Sequence, residues 1–174
     1  QSQPVAIAAD GAAPLTTDVR QRVAIGRVDL GDGLATFDNR NASSGTIEER
    51  VLVKTFSDDD PSSIDVFVVN RFARGGRQGE AFILGDAGPI LNAVNLDRSG
   101  IRQQREAWTQ SHEVGHVLLD QPYHPDNVGP DRPILLMDSD ASLGTILGPK
   151  RLTLAECTRA RATLAGFSVP PAPR

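Results

Sequence analysis

Two histidines four residues apart, with a glutamate directly after the first, restrict this chain more than any other feature it carries. The segment is His112-Glu113-Val114-Gly115-His116. At that spacing two side chains share one face of an α-helix, so both imidazoles can address one metal ion. Glu113 then stands beside them, within reach of a water at that metal. The flanking pattern agrees with a helix. A helical period is expected from Ile101 to Asp120, with Ser99 as cap, Ala107, Val114 and Leu118 recurring at sevens and fours, and Pro122 forbidding continuation. Trp108 falls on this helix, with Gly115 and Leu119 along a neighbouring stripe.

All three histidines of the chain, His112, His116 and His124, lie within thirteen residues. The single Cys157 rules out both a thiolate metal cluster and an internal disulfide framework. A catalytic zinc takes three protein ligands and leaves a fourth position for water, which makes His124 the leading third ligand. On an unbroken helix His124 would lie about 12 Å along the axis from His116. A turn after the helix is therefore a requirement of this reading, and Pro122 is the expected cause of it. Two other ligands compete. Asp120 is one turn past His116, and Glu156 is the one glutamate downstream of Glu113. Glu156 also stands three residues after Thr153, the spacing of a helix capping box, which favours an ordinary helix start.

The 174 residues suit a single domain over 1–174, with a Pro-rich tail at 169–174. At 39% hydrophobic and 23% charged, the chain has a globular rather than a disordered composition. It has no apolar run long enough to span a membrane. The formal net charge is −4 and the arginines are dispersed, which excludes a general nucleic-acid binder. The sequence opens at Gln1 with no initiator Met and no signal peptide visible, so the chain reads as a mature or trimmed form; a secreted or extracellular location is expected.

Elsewhere the expected elements are short. Val5-Ala6-Ile7 suggests a strand. Thr16 to Val28 suggests a short helix capped by Thr17 or Asp18, although Val23, Ile25 and Val28 fit a strand nearly as well. Arg50 to Phe56 is β-branched and reads as a strand, and Ser57 to Ser63 as a turn cluster. Ile64 to Asn70 is a near-continuous apolar run, expected to be a strand buried on both faces. Arg71 to Gly79 reads as a loop, followed by short strands at Ala81–Leu84 and Leu91–Leu96. A loop from Gln121 to Pro133 precedes the apolar Ile134-Leu-Leu-Met137, and a last helix is expected from Thr153 to Leu164. Asn41-Ala-Ser43 is a glycosylation sequon. Asp58-Asp-Asp60 reads as a solvated turn, and Asp126, Asp131 or Asp140 could bind calcium only if backbone carbonyls converge with them. Cys157 is expected to be a buried small hydrophobe.

The helix motif, a third histidine after it and Met137 in Leu135-Leu-Met-Asp138 together resemble the metzincin clan of zinc peptidases. That clan carries HExxHxxGxxH followed by a methionine-containing turn. The likeness covers roughly residues 50 to 166. It implies an α+β (α/β) fold, with a twisted mixed sheet, an active-site helix, a Met-turn and a C-terminal helix. It implies a zinc-dependent endopeptidase in which His112, His116 and His124 hold Zn2+ and Glu113 is the general base. A peptide or protein substrate would lie extended along the Ala81–Leu84 edge strand of a monomer, with no nucleic acid involved. Met137 would pack beneath the metal without coordinating it. Two departures stand out. Leu119 occupies the clan's glycine position, and the third histidine comes two residues late, at 124. The tyrosine that some members carry two residues after the methionine is replaced by Ser139. A non-catalytic zinc-binding module, a zinc hydrolase of a non-peptide amide, and a site completed by Glu156 are the alternatives.

Overall fold

The computed structural model describes residues 2–7, 15–20, 38, 43–73, 76–98, 108–124, 135–139 and 150–167. Among them the chain is a mixed α+β structure. Strands β1 (Ser2–Ile7) and β2 (Leu15–Arg20) form an antiparallel pair, with Ser2 opposite Arg20 and Ile7 opposite Leu15. The strand expected at Val5–Ile7 is therefore present. The helix expected from Thr16 is corrected to a strand over 15–20, where the β-branched Thr16, Thr17 and Val19 favour extended backbone. Its remainder, 21–28, lies outside the described residues, as do the Asn41 sequon, Asp126, Asp131, Asp140, the tail and the helix expected over 101–107.

Helix α1 spans Ile47–Phe56, where a strand is expected from the β-branched Val51, Val53 and Thr55. The local cap decides the matter. Glu49 N–H donates to Thr46 Oγ1 at 3.2 Å, and Thr46 N–H donates to Glu49 Oε2 at 2.6 Å, a reciprocal capping box. Glu48 and Glu49 in the first turn and Lys54 in the last complement the helix dipole. A β-branched residue costs a helix at most about 0.7 kcal/mol, which the cap and the docking of Val53 outweigh.

Strands β3 (Asp65–Val69), β4 (Gly79–Phe82) and β5 (Ala93–Asp97) form a sheet of order β3-β5-β4, with β3 parallel and β4 antiparallel to β5. Central β5 is buried along its whole length. The expectation that β3 is buried on both faces is corrected, because Val66 is 37% and Val68 56% exposed. As an edge strand it has one covered face, and its residues alternate accordingly. β4 starts two residues before the expected Ala81 and stops at Phe82, and a 3-10 turn takes over at Leu84–Asp86.

Helix α2 (Thr109–Leu119) packs on β4 and β5, where Val117 meets Ile83, Val94 and Leu96. The opposite face of the sheet presents Phe82 and Ala93 to Ile90 and to Val53 of α1. A third cluster, Leu119, Met137 and Ala160, ties α2 to helix α3 (Leu154–Phe167) through the turn at 135–139. Each large apolar side chain buried this way contributes roughly 1.5–3 kcal/mol. Helix α3 has the expected cap: Glu156 N–H donates to Thr153 Oγ1 at 3.3 Å, and Thr153 N–H to Glu156 Oε2 at 2.7 Å. Among the described residues no helix is long and apolar enough to cross a membrane.

Candidate metal centre

Helix α2 presents His112 and His116 on one buried face, as their spacing requires. The way the helix ends brings the third histidine to them. It stops at Leu119, before Pro122 acts, because Asp120 adopts the left-handed conformation at φ 47°, ψ 51°. An aspartate tolerates that region better than most side chains. Here contacts from both sides hold it. Gly85 N–H donates to Asp120 Oδ1 at 2.6 Å, and Arg159 Nη2 donates to the Asp120 carbonyl at 3.0 Å. Gln121 N–H then closes on the His116 carbonyl at 3.1 Å. The turn that the metzincin pattern assigns to a glycine at position 119 is thus made one residue later, by an aspartate. The expectation that Pro122 terminates the helix is corrected accordingly.

Beyond this turn the chain folds back and places His124 against the helix. His124 Nε2 lies 3.0 Å from His112 Nε2, which in turn lies 3.2 Å from His116 Nε2. The three rings are 4.8 to 5.0 Å apart between centroids. Two backbone carbonyls fix the tautomers. His112 Nδ1 donates to the Leu136 carbonyl at 2.6 Å, and His116 Nδ1 donates to the Gln121 carbonyl at 2.7 Å. A carbonyl can only accept, so both Nδ1 atoms carry the proton and both Nε2 atoms present lone pairs to the neighbouring imidazole nitrogens.

Such converging lone pairs repel one another unless a cation lies among them. Protonation is disfavoured: burial, then the neighbouring His112, holds His116 down to about 4, and burial lowers His112 as well. Tetrahedral zinc with 2.0–2.1 Å bonds sets its nitrogen ligands about 3.3 Å apart, close to the two separations found here. The three histidines fit a metal ion, with all candidate ligand atoms within 4.8 Å of one another. Carbonyl acceptors on Nδ1 are the kind of contact that orients an imidazole toward a metal.

Neither competing ligand joins this group. Asp120 is engaged by Gly85, and Glu156 caps α3 as its spacing with Thr153 requires. Met137 is fully buried under the helix. A Cβ on Gly115 would sit 3.3 Å from Met137 Cε and closer still to Sδ, so the glycine lets this turn reach the underside of α2. The turn acts on the centre through the Leu136 carbonyl rather than through the sulfur. Cys157 is half-buried, not fully buried, and has no disulfide partner.

Glu113 rests against the first residue of β4. A Cβ on Gly79 would lie 2.7 Å from the Glu113 carboxyl carbon and closer still to Cγ and Oε1. Burial pushes this carboxyl up to about 8, opposed by the Arg77 guanidinium. Gly79, Arg77 and the carbonyls of Leu136 and Gln121 escape a reading of the sequence. A backbone carbonyl leaves no residue signature, and a lone Gly or Arg in the Gly- and Arg-rich stretch at 71–79 carries none. In comparisons with known proteins, no family model, no curated protein and no solved structure matches the chain.

Proposed function

We propose that this protein is a zinc-dependent endopeptidase with a metzincin-like arrangement of its active-site helix, returning histidine and buried methionine turn. The observation that carries the reading is the convergence of three imidazole nitrogens, two of them from the helix on which Glu113 directly follows His112. His112, His116 and His124 would hold the zinc. When bound, zinc supplies a Lewis acid that polarises a carbonyl and makes a nearby water acidic near neutral pH. Glu113 takes a proton from the attacking water as its oxygen adds to the scissile carbonyl carbon. It then delivers that proton to the leaving amine nitrogen as the C–N bond breaks, so one water yields one acid and one amine.

The remaining residues hold this geometry. Leu136 and Gln121 fix two rings through their Nδ1–H groups, and Asp120 holds the turn that returns His124. Substrate would lie extended along β4, an edge strand whose outer side pairs with no other strand among the described residues. Main-chain hydrogen bonds there give affinity, and side-chain pockets give selectivity.

The test is digestion of casein and a peptide library by the zinc-loaded protein, with and without a chelator, beside metal analysis. Chelation should abolish cleavage, and zinc should restore it. Glu113→Gln should retain one zinc per chain and lose turnover by a factor of about 10²–10⁴, the contribution of a general base. One zinc per chain with no cleavage of any peptide would refute the endopeptidase and leave a zinc-binding module.

A further inference from the structure

On the face of the sheet turned toward α1, three polar side chains meet in an otherwise apolar layer. Phe82 of β4 and Ala93 of β5 are cross-strand partners there and pack against Val53 of α1. Side chains return to the same face every second residue along a strand, and after one turn along a helix. Glu80 stands two residues before Phe82, Asn95 two residues after Ala93, and Glu49 one turn before Val53, so all three enter this layer. Glu80 and Asn95 are themselves direct cross-strand partners. The Glu49 and Glu80 carboxyls lie within hydrogen-bonding distance of each other. Water is excluded from all three: Glu49 and Asn95 are 0% exposed and Glu80 is 3%.

Each carboxyl has one oxygen engaged. Glu49 Oε2 accepts the Thr46 N–H at 2.6 Å, and Glu80 Oε1 accepts from Arg77 Nη1 at 2.9 Å. The oxygens that remain, Glu49 Oε1 and Glu80 Oε2, meet no donor, and neither Oδ1 nor Nδ2 of Asn95 has a partner among the described residues. The other strand neighbour of Asn95 is Phe67, which has no polar side-chain atom to offer. Buried polar groups left in this way cost stability unless something occupies the space between them. A proton shared by the two carboxyls serves Glu49 and Glu80 but does nothing for Asn95. A water carries no charge, and Arg77 brings one positive charge against two carboxylates. A metal cation supplies charge and engages one oxygen from each of the three side chains.

We propose that Glu49, Glu80 and Asn95 form a second metal site, for a calcium ion, separate from the histidine centre. An all-oxygen set suits a hard cation such as calcium or magnesium rather than zinc. Burial selects between the two. Magnesium sheds its waters reluctantly, whereas calcium accepts protein oxygens in flexible geometry. The ion ties α1 to β4 and β5, behind the strand whose first residue, Gly79, faces Glu113. In calcium-free solution the two carboxyls keep a proton in its place. The site stands independently of the endopeptidase reading.

The test is elemental analysis of the zinc-loaded protein, refolded from urea in calcium, in magnesium or in neither and then desalted, with thermal melting of each sample. The wild type should retain one calcium per chain and no magnesium. At a hundredfold excess of calcium over its dissociation constant, the melting temperature should rise by about 5–10 °C. Glu49→Gln and Glu80→Gln should each lose the calcium and the rise in melting temperature while keeping the zinc. Asn95→Asp adds a third carboxylate and should bind calcium about tenfold more tightly in a competition titration, which decides the question if a glutamine variant fails to fold. His124→Ala should keep the calcium, because the histidine centre is a different site. A wild type that retains magnesium or neither metal overturns the proposal. So does calcium retained by Glu80→Gln, calcium lost in His124→Ala, or an unchanged affinity in Asn95→Asp.

Discussion

Replacing Gly79 with alanine tests the proposed catalytic geometry without touching a histidine. The new methyl would sit 2.7 Å from the Glu113 carboxyl carbon and nearer still to Cγ and Oε1. Carbon atoms in contact prefer about 3.5–4.0 Å, so the carboxyl group must retreat by about 1 Å. The helix backbone is poorly placed to move instead. Val117 and Leu119 lock α2 into two apolar clusters, and His112 and His116 are bonded to the Leu136 and Gln121 carbonyls. The side chain therefore rotates. A misplacement of about 1 Å costs about 10²-fold in rate, which is about 2.7 kcal/mol of barrier. Crowding should lower stability by about 1–3 kcal/mol. The expected result is a folded protein with one zinc per chain and a kcat about a hundredfold lower, read by steady-state kinetics, metal analysis and thermal melting. Wild-type turnover in Gly79→Ala would show that the position of the Glu113 carboxyl does not govern the reaction.

His124→Ala should weaken zinc binding strongly in a competition titration. Glu156→Ala should leave it unchanged while costing about 1 kcal/mol through the lost cap of α3, and the reverse pattern would remove His124 from the metal centre. Gly115→Ala would drive a methyl against the Met137 side chain and should destabilise the fold by about 1–3 kcal/mol, measured by urea unfolding. Met137→Ala should cost about 2–5 kcal/mol, and no change in either variant would mean that the turn does not pack under α2. Glu80 is raised from its ordinary 4.5 to about 9, so the native chain keeps a proton that the unfolded chain releases. Its contribution to stability is complete below pH 4.5 and declines as pH rises toward 9. Glu80→Gln should flatten that decline, whose limiting slope is about 1.4 kcal/mol per pH unit. Parallel pH–stability curves for the two proteins would contradict a protonated Glu80.

Elements whose signals are local were open to a reading of the residues. The histidine pair had to occupy a helix, because only the 3.6-residue period puts positions four apart on one face. The cap of α3 is written in Thr153 and Glu156, and the strand at 65–69 in its apolar run. Thr46 and Glu49 spell the same capping pattern for α1. There the β-branched Val51, Val53 and Thr55 point toward a strand, and in the folded chain the cap and the burial of Val53 against Phe82, Ile90 and Ala93 outweigh that preference. The exposure of Val66 and Val68 could not be read from their own segment, because it depends on β3 being an edge strand.

Sequence alone determined the identity of the candidate metal ligands, the helix that carries two of them and the glutamate that follows the first. Tertiary structure alone decided that His124 meets the other two. That meeting needs Asp120 in a left-handed turn, held by Gly85 35 residues before it and by Arg159 39 residues after it. It also decided that Leu136 orients His112 across 24 residues, and that Gly79 faces Glu113. Backbone hydrogen bonding and side-chain periodicity act over a few residues and leave a pattern in the chain. Contacts between segments this far apart are set by how helices and strands pack, and no local pattern of residue types records which backbone carbonyl or missing methyl will face the site.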